Sequence, residues 1–319
     1  MVRRGAEPAR PARAGSHVMP RFGIVSLRSG SLNAEIQPDF GGRLIALYDK
    51  LGPERIDWIV PARPASAEDS SHVKAGCFPM VPYCNRIADG RFDFEGRGYE
   101  PGASHPWDEA CHGHGFLRAW QVDDRSGDAV AISCEYGGAD WPSAYRARQL
   151  FRLADGALEV GLSLENVGEA SMPAGFGLHP YFPGRDGLSF AVGADRHWPI
   201  LPGFRTDHSE PSPLGRAETA GARLAAGEAL CLSEWDGTAQ VEWPRRKRRI
   251  GISATEAFTS CVLFAPVDSG AFCLEPSSHV IGAVNMPERR SETGLRILAP
   301  GEAVAGTVTF DCQIEGHRR

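Results

Sequence analysis

The sequence has no apolar run approaching the roughly 20 residues that a membrane-spanning helix needs, so it offers no candidate for one. It has no surplus of positive charge. Its 34 Lys and Arg against 40 Asp and Glu leave a net charge of −6, which argues against a dedicated nucleic-acid binder with a basic surface. Its eight cysteines, Cys77, Cys84, Cys111, Cys134, Cys231, Cys261, Cys273 and Cys312, contain no CxxC pair. That spacing fits neither a zinc knuckle nor a small disulfide scaffold. Most of them sit beside apolar residues and read as small buried hydrophobes. No internal repeat is present, which argues against a propeller. Residues 1–20 are rich in Arg, Ala and Pro and lack an apolar stretch of the secretory kind; Glu7, Pro8 and Pro11 interrupt any transit-peptide helix. They read as a disordered tail, and a reducing cytoplasm is the expected setting.

What is present is punctuation. Thirty-seven glycines and 24 prolines separate short alternating runs. Leu158, Val160, Leu162 and Leu164 alternate with Glu159, Gly161, Ser163 and Glu165; Val130, Ile132, Cys134 and Tyr136 do the same, as do Val304, Gly306, Val308 and Phe310. Alternation with period two is the signature of half-buried strands. Further strands are expected at residues 24–27, 32–36 and 43–48. The one helical candidate, residues 217–230, is broken by Gly221 and Gly227 and reads as loop or a single short helix. The basic run at residues 245–249 reads as the tip of a hairpin, and residues 61–71 as a polar loop. The class is all-β. A sandwich and a barrel both fit, and with no composition break after residue 20 a single domain is expected over residues 21–319.

Four polar clusters could carry chemistry. His179 lies between a glycine-rich approach and Pro180, with Tyr181 and Phe182 after it, and a residue before proline is biased to extended backbone. Asn85-Arg86 sits in an otherwise apolar run, and a buried arginine needs a partner; it is either a structural ion pair or points into a polar cleft. His112-Gly-His114 would share a face if it were a strand. Its alternatives are a solvated turn or a metal pair, although no third or fourth ligand stands at a recognisable spacing. Glu275 follows an apolar strand and precedes a proline, as a strand-end carboxylate or as a working one.

Four segments together are similar to the galactose mutarotase-like family, the aldose 1-epimerases and their relatives. They are Pro-Tyr-Cys-Asn-Arg-Ile-Ala-Asp-Gly-Arg-Phe ending at Phe92, Cys-His-Gly-His-Gly-Phe-Leu-Arg-Ala-Trp ending at Trp120, Gly-Phe-Gly-Leu-His-Pro-Tyr-Phe ending at Phe182, and Cys-Leu-Glu-Pro ending at Pro276 and running on to Asn285. They occur in the family's order, and the resemblance spans roughly residues 24–310. It implies a large twisted β-sandwich with a sugar cleft across one sheet. It further implies Glu275 as base and His179 as acid, with no cofactor and no metal, and Arg86, Asn85 and His112 or His114 as ligands of sugar oxygens. His112 matches the His-Gly position best, while His114 with Arg118 resembles the sugar-phosphate branch.

The chemistry independently asks for such a pair. Exchanging anomers of a free sugar means taking the proton from the C1 hydroxyl and giving one to the ring oxygen. A carboxylate near its reference pKa of about 4.3 and an imidazole near about 6.5 on opposite sides of the anomeric centre suffice, each contributing about 10²–10⁴-fold. Trp120, Trp141 or Tyr181 could stack on a sugar face. The family's sugar-gripping aspartate has no clean counterpart; Asp236 and Glu234 lie nearby, so the identity of the sugar stays open. The expected partner is a small sugar, with no nucleic acid or membrane, and the expected state a monomer or homodimer. A hexose 6-phosphate substrate would need Arg118, or Arg146 with Arg148, to converge on the cleft. A silent carbohydrate-binding protein would need neither acid nor base. A metal-dependent barrel would use His112 and His114.

Overall fold

A computed structural model describes residues 23–64, 74–104, 109–214, 219–267 and 269–317. The expected N-terminal tail lies outside these residues, as does most of the expected polar loop. Strands dominate, and among the described residues the one α-helix is Arg290–Thr293. Among the described residues no helix is long and apolar enough to cross a membrane.

The architecture turns on the fifteen-residue strand Ala229–Trp243. One edge pairs along its length with Ser189–Trp198, through a register shift. On the other edge, residues 229–233 pair with Ser260–Phe264, but residues 238–243 pair with Arg248–Ala254. The change of partner falls where Glu234 (φ 51°) and Gly237 (φ 80°) leave the extended region. A side chain at Gly237 would meet the Ala254 carbonyl oxygen at 2.5 Å, so the kink needs glycine.

From this fork the sheet runs out in two antiparallel arms. One continues from Ser260–Phe264 through Phe272–Ser277, Gly177–Phe182, Cys77–Met80, Arg43–Leu51 and Leu32–Gln37 to Val25–Ser29. The other continues from Arg248–Ala254 through Ala303–Ile314, Ala157–Asn166, Tyr145–Ala154 and Ala129–Tyr136 to Gln121–Arg125. The arms enclose one apolar core to which both contribute, Leu27 and Ile36 from the first, Phe151 and Val160 from the second. They meet again where the Arg28 amide donates to the Gly127 carbonyl at 3.0 Å. This is a large twisted antiparallel sandwich.

The alternation read from the sequence is what fills it: in Ala157–Asn166 every second residue is buried. Two local readings are sharpened. Residues 219–230 contain a 3-10 turn, Gly221–Arg223, and the start of a strand rather than a helix; residues 217 and 218 lie outside the described set. The basic run does form a hairpin tip, Pro244–Arg246 and Lys247, although Arg248 tucks in against Trp243 with its guanidinium 4.7 Å from the ring.

Three strands of the first arm, Cys77–Met80, Gly177–Phe182 and Phe272–Ser277, are buried throughout. Their alternation separates two interiors. Leu178, Phe182, Phe272 and Leu274 enter the main core. The opposite face carries a second apolar cluster that includes Phe78, Phe116, Tyr181 and Cys273. His179 and Glu275 share that face by period two.

Candidate active site

Register brings the two residues together. Tyr181 pairs with Cys273 and Gly177 with Ser277, which sets His179 beside Glu275 across the strand pair. His179 also lies opposite Phe78, and Glu275 opposite Val262. His179 Nε2 is 3.3 Å from Glu275 Oε1, with both side chains almost wholly buried. The imidazole is clamped by parallel Tyr181 at 4.7 Å and by Phe78 at 4.6 Å between ring centres.

The glycine-rich approach to His179 is explained by space. A side chain at Gly175 would meet His279 Cδ2 at 2.1 Å, and one at Gly177 would meet Met80 Cε at 2.6 Å and the Pro276 carbonyl oxygen at 2.7 Å. His279 is locked in turn: its Nε2 accepts from the Cys84 amide at 3.0 Å and its Nδ1–H donates to the Val280 carbonyl at 2.8 Å.

The pair borders a cavity of about 250 Å³, the size class of a small ligand. Lys74, Asn85, Arg86 and His112 supply polar lining; Ile200, Phe204, Phe264, Pro266, Val267 and Ile281 supply apolar lining. Asn85 (φ 58°) and His112 (φ 60°) both occupy left-handed backbone. They are tied reciprocally, since the His112 amide donates to the Asn85 carbonyl at 2.8 Å and the Asn85 amide donates to His112 Nδ1 at 3.2 Å. With Nδ1 accepting, neutral His112 carries its proton on Nε2. The glycine after it has no room for a side chain, which would stand 2.0 Å from the Val81 carbonyl oxygen. Arg86 Nε lies 2.7 Å from Glu109 Oε1, and its guanidinium stacks 3.7 Å over Phe204.

Burial changes the expected protonation. The Glu275 carboxyl is pushed well above the usual carboxylate range by desolvation, partly offset by the Arg86 cation. His179 is pulled down to about 3, chiefly by desolvation. Neither group keeps the reference value assumed from sequence. Both shifts favour the uncharged forms, a protonated carboxyl beside a neutral imidazole. Among the described residues Glu275 Oε2 has no hydrogen-bond partner, and His179 Nδ1 has none beyond its own residue. The sequence reading set the two on opposite sides of an anomeric centre; the structure shows them as direct neighbours across one strand pair.

Asn85, Arg86, His112, His179 and Glu275 thus gather at one cavity. Two expected sugar ligands do not. His114 is turned into the protein, stacked on Tyr136 at 3.9 Å, with Nδ1 3.1 Å from the Tyr145 hydroxyl. The His-Gly-His stretch is a turn leading into the 3-10 segment Gly115–Leu117, so its two imidazoles diverge. Asp236 lies at the fork of the long strand, accepting from the Thr238 amide at 2.9 Å, and borders a different hollow. Among the stacking candidates, Trp120 and Trp141 are core, and Tyr181 alone lines the cavity. Arg118, Arg146 and Arg148 do not converge on it: Arg118 covers Tyr136, Arg146 pairs with Glu135 and Glu165, and Arg148 pairs with Asp123.

Three residues escaped the sequence reading. His279 shapes the glycine approach. Phe204 covers Arg86. Arg43 is buried with its guanidinium 5.1 Å from the Phe78 ring, and its charge is felt by both Tyr181 and His179. An arginine directly after Gly41-Gly42 and before an apolar run was the only available signal for it.

For metals, His179, Cys273 and Glu275 place their ligand atoms within 4.8 Å of one another. Binding there would require the Cys273 thiolate, and burial pushes that thiol well up. A wider groove of about 760 Å³ runs over Gly161, Ser163, Gly306 and Thr307, and no imidazole lines it.

Comparison with known proteins bears on the family and the fold. The sequence matches the aldose 1-epimerase family over residues 24–311. It is 30% identical over 307 residues to the uncharacterised protein YphB of Escherichia coli K12, covering 90% of this chain and 98% of that one. Its fold matches a galactose mutarotase-like protein from Clostridium acetobutylicum, with a TM-score of 0.78 at 19% identity over 91% of this chain and 95% of that one. It also matches an aldose epimerase homologue from C. elegans, with a TM-score of 0.77 at 14% identity over 92% and 99%.

Proposed function

The chain belongs to the aldose 1-epimerase family, and from that membership we propose that it interconverts the α and β anomers of a free aldose by acid–base ring opening and closure. The observation that carries this reading is the buried His179–Glu275 contact of 3.3 Å at the cavity. The hydroxyl oxygen and the ring oxygen of an anomeric centre are both bonded to C1. Two adjacent groups can therefore serve both, without standing on opposite sides of the sugar.

In the family's assignment Glu275 takes the proton of the C1 hydroxyl. The C1–O1 bond becomes a carbonyl, the C1–ring-oxygen bond breaks, and that electron pair takes a proton from His179. Rotation about C1–C2 and the reverse proton transfers close the ring on the other face. The neutral pair that burial favours is the state ring opening leaves behind: proton on the carboxyl, imidazole neutral. The reactive ion pair is the arrangement that burial disfavours. Arg86, whose cation draws the Glu275 carboxyl down, biases the pair toward it. In this reading His112, as an Nε2–H donor, and Asn85 hold sugar hydroxyls, and no step calls on a cofactor.

Polarimetry of freshly dissolved α-sugars tests the reading. Glu275→Gln and His179→Asn should each lower kcat by about 10² or more, with thermal melting close to wild type. The double variant should be far less than additively worse, because the two act as a unit. Near-wild-type mutarotation in both single variants would remove the pair from the mechanism.

A further inference from the structure

The cavity is chemically divided. Its polar lining comes from the segments bearing Lys74, Asn85, Arg86 and His112, and its apolar lining from Ile200, Phe204, Phe264, Pro266, Val267 and Ile281. Among the described residues Glu275 is the one carboxylate on its wall. Of the five large apolar side chains that the described residues expose, two line this cavity, Phe204 at 37% and Val267 at 67%. A soluble surface tolerates scattered exposed hydrophobes, but a pair at the mouth of a site is informative.

Phe204 is also held there against its backbone preference, since φ is 56° for a bulky residue. The turn around it is tied on several sides. Leu201 bridges to Arg205, the Arg205 guanidinium pairs with Asp89, and the Thr206 hydroxyl donates to the Ile281 carbonyl at 2.7 Å. The result seats the Phe204 ring on Arg86 and presents apolar surface where a fully hydroxylated sugar would need partners. Backbone strain of this kind is retained where the surrounding structure over-determines it.

Resting on the mutarotase reading, we propose that the preferred substrate is a 6-deoxyhexose, its C5 methyl seated against Ile200, Phe204 and Val267. Lys74, Asn85, Arg86 and His112 offer the polar side of the cavity to the ring hydroxyls, and the exocyclic edge is assigned to its apolar side. A C6 hydroxyl turned against that wall would lose water on the covered side without gaining a partner there. One such group in an apolar pocket is worth about 10–200-fold in kcat/KM.

The test is polarimetric kcat/KM for matched pairs: 6-deoxygalactose against galactose, 6-deoxyglucose against glucose, 6-deoxymannose against mannose. At least one 6-deoxy sugar should exceed its parent by about 10-fold or more. Ile200→Thr and Val267→Thr, which keep the branched shape but add a hydroxyl, should each move that ratio toward one. Parents turned over as well as, or better than, every 6-deoxy partner would overturn the substrate assignment and leave the mutarotase reading standing. Acceleration of no sugar in the panel would overturn both.

Discussion

Acidification should destabilise this protein steeply, and the cause lies in its histidines. His112, His114, His179 and His279 are all held below the ordinary imidazole value by desolvation: His179 to about 3, His114 and His279 to about 4, His112 well below. Geometry says the same for two of them without reference to burial. His279 uses one nitrogen as donor and the other as acceptor, and His112 Nδ1 accepts an amide proton, so a second proton would break a hydrogen bond in each. A group depressed in the fold contributes stability above its unfolded pKa and loses it as pH falls toward the folded value. The window here runs from about 6.5 down to about 3. Between pH 7 and pH 5 His114, His179 and His279 each shift the balance toward the unfolded chain by about 2 kcal/mol, and His112 acts in the same direction. Glu275 acts in the other direction. Its carboxyl is raised in the fold, so acidification favours the folded state there. Four imidazoles against one carboxyl leave a net loss, set against a total of about 5–15 kcal/mol for a typical domain. Urea denaturation at pH 7 and pH 5 reads it directly as a fall in midpoint. A midpoint at pH 5 equal to or above that at pH 7 would refute the neutral buried imidazoles, and with them the protonation state given to the site.

Three further outcomes follow from the geometry. Arg86→Met should raise KM for the sugar and also move the carboxylate limb of the kcat–pH profile to higher pH, because removing the cation lets the Glu275 carboxyl rise further; a change confined to KM would show that Arg86 only binds. Gly177→Ala should cost about 1–3 kcal/mol by overpacking against Met80, Pro276 and Cys84, and should lower kcat because the same strand carries His179 two residues on; thermal melts and polarimetry check both. His114→Gln should lower stability by about 1–3 kcal/mol through the lost contacts with Tyr136 and Tyr145 and leave KM unchanged, and a raised KM would return His114 to the cleft.

The strands were legible in the sequence because one face of each is apolar, and period two survives any tertiary detail. Leu158, Val160, Leu162 and Leu164 had to face one way, and they do. The fork at Glu234–Gly237 was not legible, since a strand that changes partners halfway looks locally like any other. The same limit governed the site. His179 and Glu275 are 96 residues apart in the chain, and only the register of Tyr181 against Cys273 makes them neighbours. Family resemblance named both, but their contact, and the desolvation that overrides their reference pKa values, are properties of a face closed by Phe78, Tyr181 and the loops above it. His112 and His114 make the point most sharply. Two identical residues one glycine apart differ in fate because backbone at φ 60° sends the first toward the cavity and the turn after it sends the second into the aromatic cluster of Tyr136 and Tyr145. Spacing could offer them as a pair; the positive φ at His112 and the tight passage of Gly113 past the Val81 carbonyl go with their divergence, and of the two only His112 lines the cavity.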